Sequence, residues 1–179
     1  MSGRYLDPWA HDPAVIALEA VARGLSHSCR FAGQCETLYT AAEHSLLVAS
    51  RLHDLGHDRA VCIAGLHHDD AEAFIGESTS LKNLLPEIAV VEAAVLTAVV
   101  DALGLVGIPF EHPTVRSADA WALAHEAYEL MPSRGKACWT ADPCAACLFW
   151  PLGMRAEFAR RAWLRRHRAL LDGGVADGR

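Results

Sequence analysis

The sequence predicts an all-α protein, built as a compact bundle of about six helices. Apolar side chains recur at the spacing of a buried helix face, and no segment shows the polar–apolar alternation of a half-buried strand. With 179 residues, 52% of them hydrophobic, the chain is long enough to bury one sizeable core. We therefore expect a single domain over residues 1–179, with a disordered Gly-rich tail from about residue 172.

Residues that cap or break helices predict the boundaries of each element. Thr40 and Glu43 form a capping box, in which each side chain satisfies a free backbone N–H at the start of a helix. Gly56, Gly76 and Gly104 are placed to end three successive helices. The predicted spans are, in order, 13–26, 40–55, 58–75, 86–103, 114–131 and 154–171.

Charge and apolar runs exclude several classes of function. The chain has 16 Lys and Arg against 22 Asp and Glu, and its net charge of -6 gives no general attraction for nucleic acid or anionic lipid. The N-terminus lacks the apolar segment of a signal peptide, so we expect a cytoplasmic protein. The apolar run from Ile88 to Ile108 contains Glu92 and Asp101 and therefore predicts a buried helix, with no membrane span.

Two further patterns bear on partners and metals. Apolar residues cover nearly the whole circumference of the helix at 86–103, so we expect one face to pack against another subunit in a homo-oligomer, a dimer or larger. In a reducing cytoplasm the six cysteines are expected as free thiols. Cys144 and Cys147 form a C-x-x-C pair, but with Cys138 as the only nearby third sulfur they fall short of a structural zinc site.

Polar residues interrupt the buried face of two helices. His44 lies in the apolar stripe of its helix, although one core histidine is more often structural than a ligand. The run from His67 to Asp70 interrupts the next helix, and four adjacent residues cannot all face solvent. At least one His and one Asp must point inward. The helical stripe selects His68 and places Asp70 toward solvent, as a surface carboxylate.

The fifth helix repeats this pattern with acids. Asp119 lies among apolar residues, and Glu126 follows two turns later on the same face. Burying a carboxylate without a partner costs several kcal/mol, so a metal ion is a natural compensation. Two imidazoles and two carboxylates that converge from three helices form a mixed nitrogen and oxygen site. Such a site suits one divalent transition metal (Mn, Fe, Co, Ni or Zn) better than Ca.

These residues resemble the pattern of the HD-domain metal phosphohydrolases: a helical His, then a His-Asp doublet, then a distant Asp. The resemblance is closer to the short bacterial and phage proteins similar to 5'-deoxynucleotidases and phage dATP triphosphohydrolases, and it covers most of the chain. The matching segments are residues 29–31, 39–45, 68–73, 81–82 and 117–119.

The resemblance implies a helical HD-domain bundle and a role for each matching residue. It implies that one divalent ion is held by His44, His68, Asp69 and Asp119, with Mg a further expectation at a substrate phosphate. Glu72 matches the catalytic acid or base and acts beside Asp69. The substrate-binding residues implied are Arg30, Phe31, Lys82 and Glu77, where Arg30 and Lys82 bind phosphate and Glu77 replaces an Asp of many relatives.

The implied activity is hydrolysis of the 5'-phosphoester of a (deoxy)nucleotide. The products are a nucleoside and either phosphate or triphosphate, which leaves a dNMP 5'-nucleotidase and a dNTP triphosphohydrolase as open choices. The alternative is a non-catalytic HD-type module that binds a nucleotide or a protein. A nuclease is a third hypothesis, which conflicts with the net charge and requires the Arg-rich last helix to lie beside the metal.

Overall fold

The computed structural model describes residues 6–7, 15–77, 85–134 and 153–172. Within these ranges the chain forms six α-helices of nine or more residues and one single-turn helix, and none of the residues lies in a β-strand. The predicted all-α fold with about six helices is confirmed. The elements are α1 (Leu18–His27), a 3-10 turn (Arg30–Gly33), α2 (Ala41–Asp54), α3 (Arg59–His67), α4 (Glu72–Ile75), α5 (Pro86–Ala102), α6 (Pro113–Leu130) and α7 (Ala156–Leu171).

Helix α2 is the central element of the bundle. Residues 41–49 are all buried, and the helix packs against α1, α3, α6 and α7. The predicted capping box is confirmed, since the Glu43 N–H donates to Thr40 Oγ1 at 3.4 Å and the Thr40 N–H to Glu43 Oε2 at 3.0 Å. The other Glu43 oxygen accepts the N–H groups of Gly153 and Met154 at 2.9 and 2.7 Å. One carboxylate therefore fixes the start of α2 and the chain that enters α7.

Two predicted helices differ from the structure. The first begins at Leu18 and not at Pro13, because Val15 and Ile16 enter the core from backbone that is not helical. Their helical spacing reflected burial alone. The span 58–75 begins as predicted, with the Asp58 side chain accepting the Val61 N–H at 2.9 Å, but it divides into α3 and α4.

Helix α5 lies at the edge of the bundle. Only Val95, Ala98 and Val99 of its 17 residues are buried, and Val90 is 59% exposed. The expected subunit contact through this helix stays a prediction. None of the helices in the described ranges is long and apolar enough to cross a membrane. The cysteines at 138, 144 and 147 and the predicted tail after 172 lie outside the described residues.

Helix α1 approaches α4 closely at Gly24. A Cβ atom built on Gly24 would lie 2.7 Å from the Cα of Ala73, a separation that real Cβ atoms do not show. Glycine is therefore required by the space between the two helices. This contact sets the position of α4, whose first residue is Glu72.

Candidate metal centre

The polar run from His67 to Asp70 forms a tight turn between α3 and α4. The N–H groups of Asp70, Glu72 and Ala73 donate to carbonyl oxygens three residues back, as in a 3-10 helix. Successive side chains are then rotated by about 120° instead of 100°, and those three residues apart eclipse each other. His67 and Asp70 consequently share one side of the turn, and the side chains of His68 and Asp69 leave it in other directions.

His44 reaches this turn from the middle of α2. Its ring is fully buried, and its Nδ1 atom pairs with Glu126 Oε1 at 2.6 Å. The opposite nitrogen, Nε2, lies 3.0 Å from Asp119 Oδ1 and 3.6 Å from Asp69 Oδ2. Helices α2 and α6 and the turn after α3 thus converge on one point, as the sequence predicts.

His68 presents the same nitrogen to the same carboxylates. Its Nδ1–H donates to the carbonyl oxygen of Gly65 at 2.9 Å, because a carbonyl oxygen can only accept. This bond leaves Nε2 with a lone pair in the neutral ring. The Nε2 atom lies 3.3 Å from Asp69 Oδ2 and 3.8 Å from Asp119 Oδ1.

The geometry fits a bound cation. Within the described ranges neither buried Nε2 atom, of His44 or of His68, has a hydrogen-bond partner, although carboxylate oxygens surround both. His44, His68 and Asp119 each offer a ligand atom, and these atoms all lie within 4.8 Å of one another. Two atoms that bind one ion at about 2.1 Å, at an angle of roughly 90–109°, lie roughly 3.0–3.4 Å apart. The three residues can hold a metal ion, and Asp69 borders the same space.

The pKa values of these groups show how closely they are coupled without an ion. Burial acts to lower the pKa of His44, but the carboxylates of Glu126 and Asp119 outweigh burial and raise it to about 10. Burial acts to raise the pKa of Asp119, yet its contacts with His44 and His68 hold that pKa well below the usual range. A proton on the imidazole therefore compensates the acids when no ion is bound, and a metal ion would have to displace it.

A second set of buried groups holds His44 in place. Glu126 is fully buried on α6, where its Oε1 accepts the Tyr39 hydroxyl at 2.9 Å as well as the His44 ring. Its Oε2 accepts the Arg30 Nε–H at 3.2 Å. Burial acts to raise the pKa of Glu126, but His44 and Arg30 lower it, so the acid stays ionised. A carboxylate bound to the far nitrogen of a metal-binding His fixes its ring orientation and increases its basicity.

Arg30, predicted to bind phosphate, is buried beneath the centre. Its guanidinium lies between Glu126 and Asp69, with Nη1 3.7 Å from Asp69 Oδ2. The next residue, Phe31, is half-buried and has left-handed backbone torsions (φ 54°), as does Ala32 (φ 50°). Such torsions in residues other than glycine are strained and are more common at functional sites.

The remaining predicted residues are placed with less detail. Glu72 is buried at the start of α4, and its charge is one of those that raise the pKa of Arg30 against the effect of burial. Glu77 is half-buried just beyond α4. Lys82 lies outside the described residues. The structure therefore brings the four predicted ligands together, with Arg30 beside them.

The prediction for Asp70 is wrong. Asp70 is 1% exposed and pairs with His67, its Oδ2 lying 2.6 Å from His67 Nδ1. The prediction assumed a regular helix through residue 75, and a rotation of 100° per residue would have turned Asp70 outward. His67, the first residue of this polar run, is buried as well. The run of polar residues in an apolar helix indicated that some of them are buried. It did not indicate that His67 and Asp70 pair with each other.

Comparison of the chain with models of known protein families and with curated proteins finds no match.

Proposed function

We propose that this chain is a metal-dependent phosphohydrolase that cleaves the 5'-phosphoester of a (deoxy)nucleotide. One observation carries the proposal: two buried imidazole nitrogens, of His44 and His68, face the oxygens of Asp69 and Asp119 at 3.0–3.8 Å. Two neutral nitrogens and two carboxylates form a ligand set for a first-row divalent ion.

His44, His68, Asp69 and Asp119 would hold the ion, which we propose to be Mn, Fe, Co, Ni or Zn. When bound, such an ion supplies Lewis-acid polarisation of a phosphoryl oxygen and makes water acidic enough to attack at neutral pH. In the neutral His44 ring that would bind the ion, Glu126 would keep the one remaining proton on Nδ1 and so leave Nε2 available as a ligand.

Glu72 is the proposed general acid or base. It lies just after the turn from His67 to Asp70, which we call the ligand turn. Its negative charge acts on buried Arg30, which also contacts Asp69. From this position it would accept a proton from the attacking water and return it to the leaving 5'-oxygen. Its buried site on a fixed helical turn favours a defined orientation, which proton transfer requires.

The substrate class rests on the resemblance to HD-domain phosphohydrolases and on the surroundings of Arg30. The half-buried ring of Phe31 lies 5.8 Å from the Arg30 guanidinium and offers an aromatic surface for a sugar or base. The net charge of -6 favours a small nucleotide over a nucleic acid. We propose that Arg30, Phe31, Glu77 and Lys82 contact this nucleotide.

The test is to reconstitute the protein separately with Mn, Co, Zn and Mg and to incubate it with dNMPs and dNTPs. Ion exchange then resolves the products. Nucleoside with intact triphosphate defines a dNTP triphosphohydrolase, whereas nucleoside from monophosphates alone defines a 5'-nucleotidase. Either result supports the proposal.

Two variants serve as controls. Asp69→Ala removes a proposed ligand and is expected to reduce turnover by at least about 100-fold, since even residues behind the ligands change activity 10- to 100-fold. Asp101→Ala removes an exposed acid at the end of α5 and is expected to leave turnover unchanged. The proposal is wrong if no metal gives turnover above that of Asp69→Ala. Metal binding without turnover would instead favour a non-catalytic binding module.

A further inference from the structure

A second buried polar cluster, formed by His67, Asp70 and His167, lies behind the ligand turn. His67 pairs through Nδ1 with Asp70 Oδ2 at 2.6 Å and through Nε2 with His167 Nδ1 at 2.9 Å. The three side chains are at most 7% exposed. The ring of His67 lies edge-on to Trp163, its centroid 4.8 Å away, and His167 stacks on the same indole.

Burying this cluster costs desolvation free energy. Within the described ranges Asp70 Oδ1 has no hydrogen-bond partner, and burial raises the pKa of Asp70 even though His67 acts to lower it. An apolar pair of similar volume would avoid the desolvation of three polar groups. The chain therefore retains these polar groups where simple packing would favour hydrophobic ones.

Two residues of this cluster and two of the proposed metal ligands lie on the same turn. Of the two outer residues, His67 contacts His167 on α7 and Asp70 pairs with His67, whereas the two inner residues, His68 and Asp69, lie at the proposed metal centre. The backbone of this turn has three-residue hydrogen bonds at Asp70, Glu72 and Ala73 instead of a full α-helical ladder. Its position therefore depends on what its side chains contact.

We infer that His167 is a positioning residue, which acts through His67 and Asp70 to fix the turn that carries His68 and Asp69. This inference rests on the proposed metal site. Metal–ligand distances tolerate deviations of only about 0.2 Å, so a small displacement of the turn weakens binding. Helix α7, which provides none of the four proposed ligands, would then control how tightly the ion is held.

The proposed role of His167 depends on its Nδ1 atom, which contacts His67. Whichever of the two rings carries the shared proton, a polar atom must stand 2.9 Å from His67 Nε2. In Asn an amide atom occupies the place of Nδ1, whereas Gln places its amide one bond farther out. Phe keeps the aromatic ring that stacks on Trp163 but has no polar atom.

These differences define the variants. His167→Phe and His167→Gln are expected to weaken Co²⁺ binding by about 10-fold or more, the usual effect of losing a residue behind metal ligands. His167→Asn is expected to restore binding to within about threefold of the wild type. The measurement is a Co²⁺ titration of the metal-free protein, followed by visible absorption, at a temperature where each variant is folded.

His125→Phe is the matched control. His125 is also buried, and it stacks on Trp121, four residues before it, as His167 stacks on Trp163. This variant removes an imidazole from the same kind of aromatic pair. Among the described residues, however, His125 forms no hydrogen bond to the ligand turn. Its Co²⁺ affinity is expected to stay at the wild-type value, whatever its unfolding temperature.

The outcomes separate the two proposals. If the wild type binds Co²⁺ and the Phe and Gln variants bind equally well, the inference about His167 is wrong and the metal site stands. If the wild type does not bind any metal ion, the proposed function fails and the inference fails with it. Should His167→Phe not fold, the comparison of Asn with Gln decides the question alone.

Discussion

Asp69 and Asp70 are adjacent in the chain but lie in opposite environments. Burial acts to raise the pKa of both carboxyl groups. For Asp69 the charges of His68, His44 and Arg30 outweigh burial and lower the pKa. For Asp70 burial prevails over His67, and the pKa is raised.

The difference shows that the partners of a buried acid decide the direction in which its pKa shifts. Asp69 has two imidazoles and a guanidinium within 3.7 Å, and its side chain is 15% exposed. Asp70 has one imidazole and is nearly sealed from solvent. An acid that stays ionised among several nitrogens suits metal binding, whereas an acid with one partner suits a structural contact.

Neutralising each acid in turn tests whether Asp69 and Asp70 differ in their contribution to metal binding. Asp69→Asn is expected to weaken metal binding by at least about 100-fold, because it removes a proposed charged ligand. Asp70→Asn is expected to change it by less than about threefold, because the amide oxygen still accepts from His67. Calorimetric titration with Co²⁺ or Mn²⁺ measures both. Equal losses in the two variants would mean that the charge of Asp70 also belongs to the metal site.

The pH dependence of stability tests the protonation of His44, whose charge lies beside Asp69. The pKa of His44 rises from 6.5 to about 10 on folding without metal, so its contribution is fully present below pH 6.5 and is lost as the pH rises through 10. One pKa unit corresponds to about 1.4 kcal/mol, so a loss of a few kcal/mol is expected. Urea unfolding of the metal-free protein at pH 6.5 and 10 measures it. An unchanged free energy of unfolding would contradict this account, and saturating metal should remove the loss.

The smallest effect is expected at Glu157, whose pKa is lowered like that of Asp69 but whose side chain is exposed to solvent. Hydrogen bonds from Arg160 and Arg161 lower the pKa of Glu157 to about 2. Water screens such surface pairs, so Glu157→Gln should change neither metal affinity nor the unfolding temperature measurably. Thermal unfolding at low and high salt tests this. A clear loss at low salt alone would show that the arginine-rich face of α7 contributes to stability.

Local chemistry made much of the fold predictable. The capping box at Thr40 acts on backbone groups within one turn, so the sequence alone reveals it. The predicted start at residue 58 is correct as well, and the Asp58 side chain caps α3 there. The start of α1 was not predictable in this way, because Val15 and Ile16 are buried without being helical. The tightened turn after His67 was missed for a similar reason, since apolar spacing does not distinguish three-residue from four-residue hydrogen bonds.

The candidate site was predictable in its residues and not in their partners. His44, His68 and Asp119 stand out as polar residues on predicted apolar faces, and the resemblance adds Asp69 and implies that the four are ligands. The bond between His44 and Glu126 joins residues 82 positions apart, and that between His67 and His167 joins residues 100 apart. Only the packing of α2 on α6 and of α3 on α7 decides such pairs.

The close approach of Gly24 to Ala73 gives the molecule a constraint of another kind. Any side chain at this position would push α4, and Glu72 with it, away from α1. Gly24 has no functional group, yet in a saturation mutagenesis screen it should be as intolerant as a metal ligand. A residue that only leaves space can thus be under the same selection as one that performs chemistry.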